Sequence, residues 1–329
     1  MKFLVVDVAA SGGGALSVLN RYIEEYKKDS ENQYVVCVSG LDYPDTENVK
    51  FIKIPWVKRS YLHRMYFDSV QIKKLIKKHK PDIVVSLQNK GFNIKNVRQE
   101  VLFHNALFIC EKRFGFRESK KMWIYQNLIS FFTGRSLKRV DTIYVQAEWI
   151  KNSLSKKWGI HKDRIIVTRP EINEVFNDSF EKVKKSRILF YPAGYYIYKN
   201  HITLLNACSE IWEEKGRDYF SLTFTGERDQ MLESCRAIIE GKDYPIEFLG
   251  SLTPEQMKEQ YDRSVLVFPS YIETAGLPLI EAKSCGCSII AADCEYAHES
   301  VGNYDKAIYF SPFDVEELKA AICKQLQVI

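Results

Sequence analysis

The chain has 329 residues, 46% hydrophobic and 27% charged, a globular composition with room for two domains and not a disordered one. No apolar run reaches the roughly 18–20 residues of a spanning helix, and eight cysteines without a C-x-x-C pair argue against a zinc module or disulfide scaffold, pointing instead to reduced thiols and a cytoplasmic chain. The net charge of +5 conceals a division: residues 1–170 hold 31 Lys and Arg against 16 Asp and Glu, and residues 171–329 hold 16 against 26, so the first half is expected to face something anionic.

The start, MKFLVVDVAASGGG, reads as a first strand running into a glycine loop at Gly12-Gly13-Gly14, not as a signal peptide. A helix from Ala15 to about Lys28 follows. YVVCVS, with a core Cys37, and FIKIP are the next strands. An amphipathic helix runs from about Arg64 to Lys80 and is closed by Pro81. DIVVSL and EVLFHN are strands. A basic, aromatic-rich helical region spans about Arg117 to Val140, then TIYVQA and IIVTRP complete the first half.

The rhythm restarts with RILFYPAG, a helix from about His201 to Lys215, and the strand SLTFTGE. IEFLGS, VLVFPS, SIIAAD and AIYF are further strands, with a helix from about Leu277 to Cys285 between the middle two. The last helix, from about Val315 to Leu326, starts after Asp314 as N-cap. Alternating strands and helices predict parallel sheets covered on both faces, so the expected fold is α/β. Two such series predict two Rossmann-like domains facing across a cleft, 1–170 and 171–329, with a polar boundary between about Arg169 and Lys185.

Phe268 to Gly302 is the most informative segment. Glu273 and Glu281 stand with seven residues between them. Ala275, Gly276 and Leu277 form a tight turn into a helix with Pro278 in its first turn, where a missing N–H costs nothing. Bare amides at a helix start favour a diphosphate, and nearby carboxylates can accept from sugar hydroxyls. On spacing alone, the two glutamates could equally be solvated charges at a helix start.

The segment resembles the donor-site signature of the retaining GT-B glycosyltransferases of family four, through Pro269-Ser270, Glu273, Gly276-Leu277-Pro278, Glu281-Ala282 and Gly286. Pro312 and Asp314 fit the family's Pro-x-Asp, and FLGSLTPEQMKEQYDRSVLVFPS fits its strand, glycine turn at Gly250, helix and strand. The resemblance covers the second half and extends more loosely to the glycine loop and to His104-Asn105. It implies transfer of a hexose-type sugar from a nucleotide-diphosphate sugar to a glycan or polyprenyl-linked acceptor, in surface polysaccharide assembly such as lipopolysaccharide O-antigen or capsule. Glu273 would contact the transferred sugar, Glu281 the ribose, and Lys199 the diphosphate, with Gly250, Ala275, Gly276 and Leu277 lining the donor.

The family arginine about six residues before Lys199 is replaced by Ala193, and Arg228 is a candidate substitute. The resemblance also implies a histidine near the reacting centre, here His104, positioning substrate; retention in this family needs no enzymic base. Catalysis would thus rest on Glu273, His104 and Lys199. Gly12, Gly13 and Gly14 only partly match a G-x-G-x-x-G fingerprint, since Ser17 replaces the last glycine. We read them as a loop closing on donor phosphates or acceptor, a plain tight turn being the alternative. Members of the family often add a further final helix; this chain stops at Ile329.

No Asp-x-Asp occurs, so neither a metal nor another cofactor is expected. A catalytically silent GT-B subunit supporting a partner enzyme stays open, as does an epimerase of the same fold; a phosphorylase would require pyridoxal phosphate. No nucleic-acid module is recognisable. The segments Val57–Lys80 and Lys112–Val140 interleave cations with aromatic residues, among them Phe114, Phe116, Trp123, Tyr125, Phe131 and Phe132. That mixture predicts peripheral contact with an anionic membrane surface on the inner face of the plasma membrane, or a core-packed helix with a solvated basic face.

Overall fold

The structure, a computed structural model, describes residues 1–10, 12–40, 42–177 and 187–327. They form two compact units, Met1–Thr168 and Arg169–Ile329; part of the expected linker, 178–186, lies outside the described residues.

Unit 1 is a sheet of seven parallel strands: β1 (Lys2–Asp7), β2 (Gln33–Val38), β3 (Val49–Lys53), β4 (Ile83–Ser86), β5 (Arg98–Phe103), β6 (Thr142–Val145) and β7 (Ile165–Val167), in the order β3-β2-β1-β4-β5-β6-β7. Its helices are α1 (Gly13–Lys28), α2 (Tyr61–Tyr66), α3 (Ile72–His79), α4 (Lys120–Ile124), α5 (Ser130–Leu137) and α6 (Glu148–Trp158). The central strands β1, β2 and β4 are largely apolar because helices cover both faces. Val5 and Val36 point toward Leu19 and Ile23 of α1. Leu4, Val6 and Val84 alternate to the other face, against Phe67, Ile72 and Leu75. Val101 and Ile143 continue that face under Leu137, Ile150 and Leu154.

Two expected helices start and run differently. The Arg64 helix begins at Tyr61, because the Ser60 side chain caps it by accepting from His63 N. It passes through a π turn, Phe67–Gln71, and ends before Pro81 with Lys80 left-handed at φ 47°. The Arg117 helix begins at Lys120 after the Ser119 cap and contains a second π turn, Tyr125–Ile129. The glycine loop is also shorter than expected. Gly12 is extended, φ 173°, and α1 already starts at Gly13, since helical backbone needs no special residue there.

Unit 2 has six parallel strands: β8 (Ile188–Tyr191), β9 (Ser221–Phe224), β10 (Ile246–Phe248), β11 (Val265–Phe268), β12 (Ser288–Ala292) and β13 (Ala307–Phe310), in the order β10-β9-β8-β11-β12-β13. Its helices are α7 (His201–Lys215), α8 (Glu233–Ile239), α9 (Pro254–Arg263), α10 (Leu277–Ser284), α11 (Glu295–Val301) and α12 (Val315–Gln327). Asp314 caps α12 by accepting from Glu317 N at 3.0 Å. Every residue of β11 and β12 is buried. None of the eight cysteines, all among the described residues, is in a disulfide, and Cys37 lies in the core of unit 1.

Candidate functional site

In each sheet the winding reverses once, and the crevice outside the strand ends at that reversal is where open α/β sheets bind ligands. In unit 2 the reversal falls between β8 and β11. The segments leaving these two strands hold the site.

The chain leaves β8 through a short turn, Ile197–Lys199, ending at left-handed Asn200, φ 60°. Asparagine tolerates this conformation better than most residues. Its amide donates to Pro269 O at 3.3 Å and to Pro312 O at 2.5 Å, and its oxygen accepts from Thr203 Oγ1 at 2.8 Å. The buried Tyr191 hydroxyl donates to Lys199 O at 2.6 Å. The lysine backbone is therefore tied to both strands, and Lys199 Nζ forms an ion pair with Glu273 Oε1, the two side chains 17% and 16% exposed. Ser270, itself buried, donates to the same oxygen at 2.7 Å.

Gly276 enters α10 left-handed at φ 56°. A Cβ there would meet the Tyr296 ring and Leu279 at 3.0–3.2 Å, so both conformation and space call for glycine. Pro278 removes one donor from the first turn and the Leu279 N–H donates to Gly276 O at 2.8 Å, which leaves the Leu277 N–H without a helical acceptor. Glu281 follows on α10 and accepts from the buried Tyr261 hydroxyl at 2.9 Å. Burial raises the Glu281 pKa, and the Tyr261 hydrogen bond opposes that shift. His201, beside Lys199 in sequence, is held neutral, its pKa lowered to about 3 by burial and then by Lys199.

The structure thus brings together Lys199, Glu273, Ala275, Gly276 and Leu277 at the reversal, with Glu281 one turn further along. Gly250, φ 68°, forms a bridge with Gly226, whose N donates to Gly250 O at 3.1 Å. Arg228, two residues beyond Gly226, is exposed, and its guanidinium forms no ion pair among the described residues. Ser270, Asn200, Tyr191 and Tyr261 complete the site without having been singled out for a role. Only Ser270 carried a signal, as part of the Pro269-Ser270 pair.

The remaining residues belong to unit 1. β5 stops at Phe103, two residues before the end of the expected EVLFHN, because Asn89 Oδ1 takes the His104 N–H at 2.6 Å in place of a ladder partner. Asn89 Nδ2 also lies 3.4 Å from His104 Nε2, and burial lowers the His104 pKa to about 4, so the ring is neutral. Gly13 and Gly14 supply the first-turn backbone of α1 behind Gly12. No cluster of three or more His, Cys, Asp or Glu suited to a metal occurs among the described residues.

Two parallel α/β units, with a lysine–glutamate pair and an open helix start at the reversal of the second, define the GT-B class of fold. The model described as Glycosyltransferase Family 4 matches residues 12–173 and that described as Glycosyl transferases group 1 matches 173–327. Matched along nearly all its length, the chain belongs to the family-four glycosyltransferases, as its donor-site motifs suggested. It is similar to the O-antigen chain mannosyltransferase RfbU of Salmonella typhimurium, 25% identical over 196 residues, 58% of this chain and 53% of that protein. The chain thus spans about half the length of this curated relative. Among solved structures it resembles WaaG, a glycosyltransferase involved in lipopolysaccharide biosynthesis, with TM-score 0.73, 16% identity and coverage of 99% and 90% of the two chains. It also resembles HepE of Anabaena in complex with UDP-glucose, with TM-score 0.67, 13% identity and coverage of 100% and 90%. At these identities the structural likeness shows the fold alone.

Proposed function

We propose that the chain is a retaining glycosyltransferase that moves a hexose-type sugar from a nucleotide-diphosphate sugar to a glycan or polyprenyl-linked acceptor in surface polysaccharide assembly. The observation that carries this reading is the Lys199–Glu273 pair beside the open start of α10. Lys199 would hold the diphosphate and follow its charge as the glycosidic bond breaks; an ammonium is suited to this as a point charge. Glu273 would accept from hydroxyls of the transferred sugar, and Glu281 from the ribose. His104 is neutral and would position substrate, while the departing phosphate takes the acceptor proton. Cations of the protein would do the work of a metal, so none is required. Relatives named as O-antigen mannosyltransferases support the polysaccharide context.

The reading includes peripheral contact with an anionic membrane. Tyr61, Leu62 and Met65 of α2 are 63–79% exposed, and Phe116, Leu128, Phe131 and Phe132 are 53–62% exposed. Phe114 is buried and Tyr125 packs on the core, so they are not part of this surface. No helix among the described residues is long and apolar enough to cross a membrane.

The test is incubation of the purified chain with a panel of nucleotide-diphosphate sugars, with and without polyprenyl-linked glycans. Acceptor-dependent release of nucleoside diphosphate is expected, abolished in Glu273→Ala. Donor turnover that is independent of acceptor and indifferent to Glu273 would overturn the reading.

A further inference from the structure

Unit 1 has its own reversal, between β1 and β4. The residues at the strand ends around it are polar although buried. Asp7 ends β1, Ser39 follows β2, Ser86 ends β4 and Gln88 lies two residues beyond, none more than 8% exposed. The Ser39 and Ser86 hydroxyls and both ends of the Gln88 amide have no hydrogen-bond partner among the described residues. Buried polar groups are ordinarily paired, because leaving them unpaired is destabilising. Four unpaired atoms at one reversal are the pattern of a site whose partners arrive with a ligand.

Charge gathers at the same place. Arg64 Nε donates to both Asp68 oxygens, at 3.1 and 3.3 Å, and Lys90 pairs with the same carboxylate. The side chains of Arg64, Asp68 and Lys90 are only 24%, 14% and 28% exposed. Lys58 Nζ donates to Ala10 O at 3.1 Å, and Asp7 lies in the fields of Arg64 and Lys58. Three cations thus face two carboxylates, and one of these, Asp7, is pushed toward its neutral form by burial. Asp68 holds Arg64 and Lys90 in fixed positions, and the excess charge is positive.

We propose that this reversal binds the acceptor through a phosphate ester: the phosphate meets Arg64, Lys90 and Lys58, and sugar or polyol hydroxyls meet the Gln88 amide and the hydroxyls of Ser39 and Ser86. Only the word acceptor rests on the transferase reading. The anion site itself stands on unit 1. The phosphate could belong to a lipid headgroup or to a soluble ester, and the two share this chemistry.

Calorimetric titration of the full chain with inorganic pyrophosphate tests it. Two classes of site are expected. Lys199→Ala should remove one, while Lys90→Met or Lys58→Ala should weaken the other by about tenfold, the effect of one lost charge-assisted hydrogen bond. Lys90→Arg should restore it. Lys58 is exposed, so its variant decides the matter should Lys90→Met fail to fold. Loss of all binding in Lys199→Ala would overturn this site and leave the donor reading standing. Loss in the Lys90 and Lys58 variants with none in Lys199→Ala would do the reverse. Displacement of pyrophosphate by glycerol 3-phosphate points to a soluble ester, and by phosphatidic acid vesicles to a lipid. Displacement by neither overturns the ester assignment.

Discussion

Glu273 Oε1 accepts from both Lys199, 74 residues away in the chain, and Ser270. The pair sits where the proposed donor would lie, so ligand must compete with or join an existing ion pair. Glu273→Ala frees the lysine. Transfer should vanish while nucleoside diphosphate affinity stays the same or rises. Lys199→Ala should lower kcat/KM at least about tenfold, since its charge matters most as the leaving group develops. Steady-state kinetics and diphosphate titration check both, and wild-type rates in either variant would sink the assignment. EDTA should leave turnover unchanged; inhibition reversed by manganese would oppose the metal-free scheme.

Glu281 supplies a pH test. Its folded pKa is raised by burial and pulled back by Tyr261, and a ribose hydroxyl needs the ionised form as acceptor. Nucleotide affinity should therefore fall as pH drops through the raised value. Tyr261→Phe removes the opposing hydrogen bond, so the fall should begin at higher pH. Dissociation constants measured across pH 4–8 (roughly the window of a raised carboxyl) decide it, and superimposable profiles would rule the coupling out.

His104 is neutral, with a pKa of about 4. The pH profile of kcat/KM should show no limb from it near the ordinary histidine value of about 6.5. His104→Gln, which keeps hydrogen-bonding capacity, should lower the rate without changing the profile's shape. A limb near neutrality that disappears in the variant would make His104 an acid or base instead.

Asp7 links protonation to stability. Its pKa is raised from 3.8 to about 6, so the folded chain holds the proton more tightly than the unfolded one. The stability this contributes is complete below the unfolded value and is lost as pH rises through about 6. Asp7→Asn should be more stable than wild type at pH about 7.5, by roughly 1–3 kcal/mol, and no more stable near pH 4. Urea melts at the two pH values measure the difference.

The apolar surface of unit 1 predicts binding to vesicles containing anionic lipid, weakened by salt, with neutral vesicles binding poorly. Phe131→Ser with Phe132→Ser should reduce cosedimentation without lowering the melting temperature, because both rings are about 60% exposed. Failure of the wild-type chain to sediment with anionic vesicles at low salt would remove the membrane from the proposal.

The central strands were legible because a strand covered on both faces is mostly apolar, as VLVF is throughout and SIIAA is after Ser288. Glu273, Glu281 and Lys199 were legible as residue types beside a helix start. Apart from Ser270, the side chains that hold them in place were not. Tyr261 reaches Glu281 across 20 residues, and Asn200 reaches Pro312 across 112. Such contacts are set by strand order, which local pattern does not encode. The start of α2 was missed because Tyr61 and Leu62 face outward and break the amphipathic period.

The same region of unit 1 contains a helix turned inside out. Around the second π turn, Leu128, Phe131 and Phe132 point outward while Gln126, Ser130, Thr133 and Gly134 are buried. Gly134 lies so close to Trp158 that a Cβ would come within 2.5 Å of the indole. Tyr125, Ile129 and Leu137 still pack on the core, but the stripe they form is thin and interleaved with buried polar residues. Polar ties add to this packing: Gln126 donates to Lys112 O at 2.7 Å and accepts from Phe114 N at 2.9 Å, and Ser130 accepts from Lys157 Nζ at 3.1 Å. Its attachment is therefore directional as well as apolar. A glutamine-to-leucine change would keep the packing yet strand the Lys112 carbonyl and the Phe114 N–H, loosening the loop that leads into the segment carrying the exposed rings.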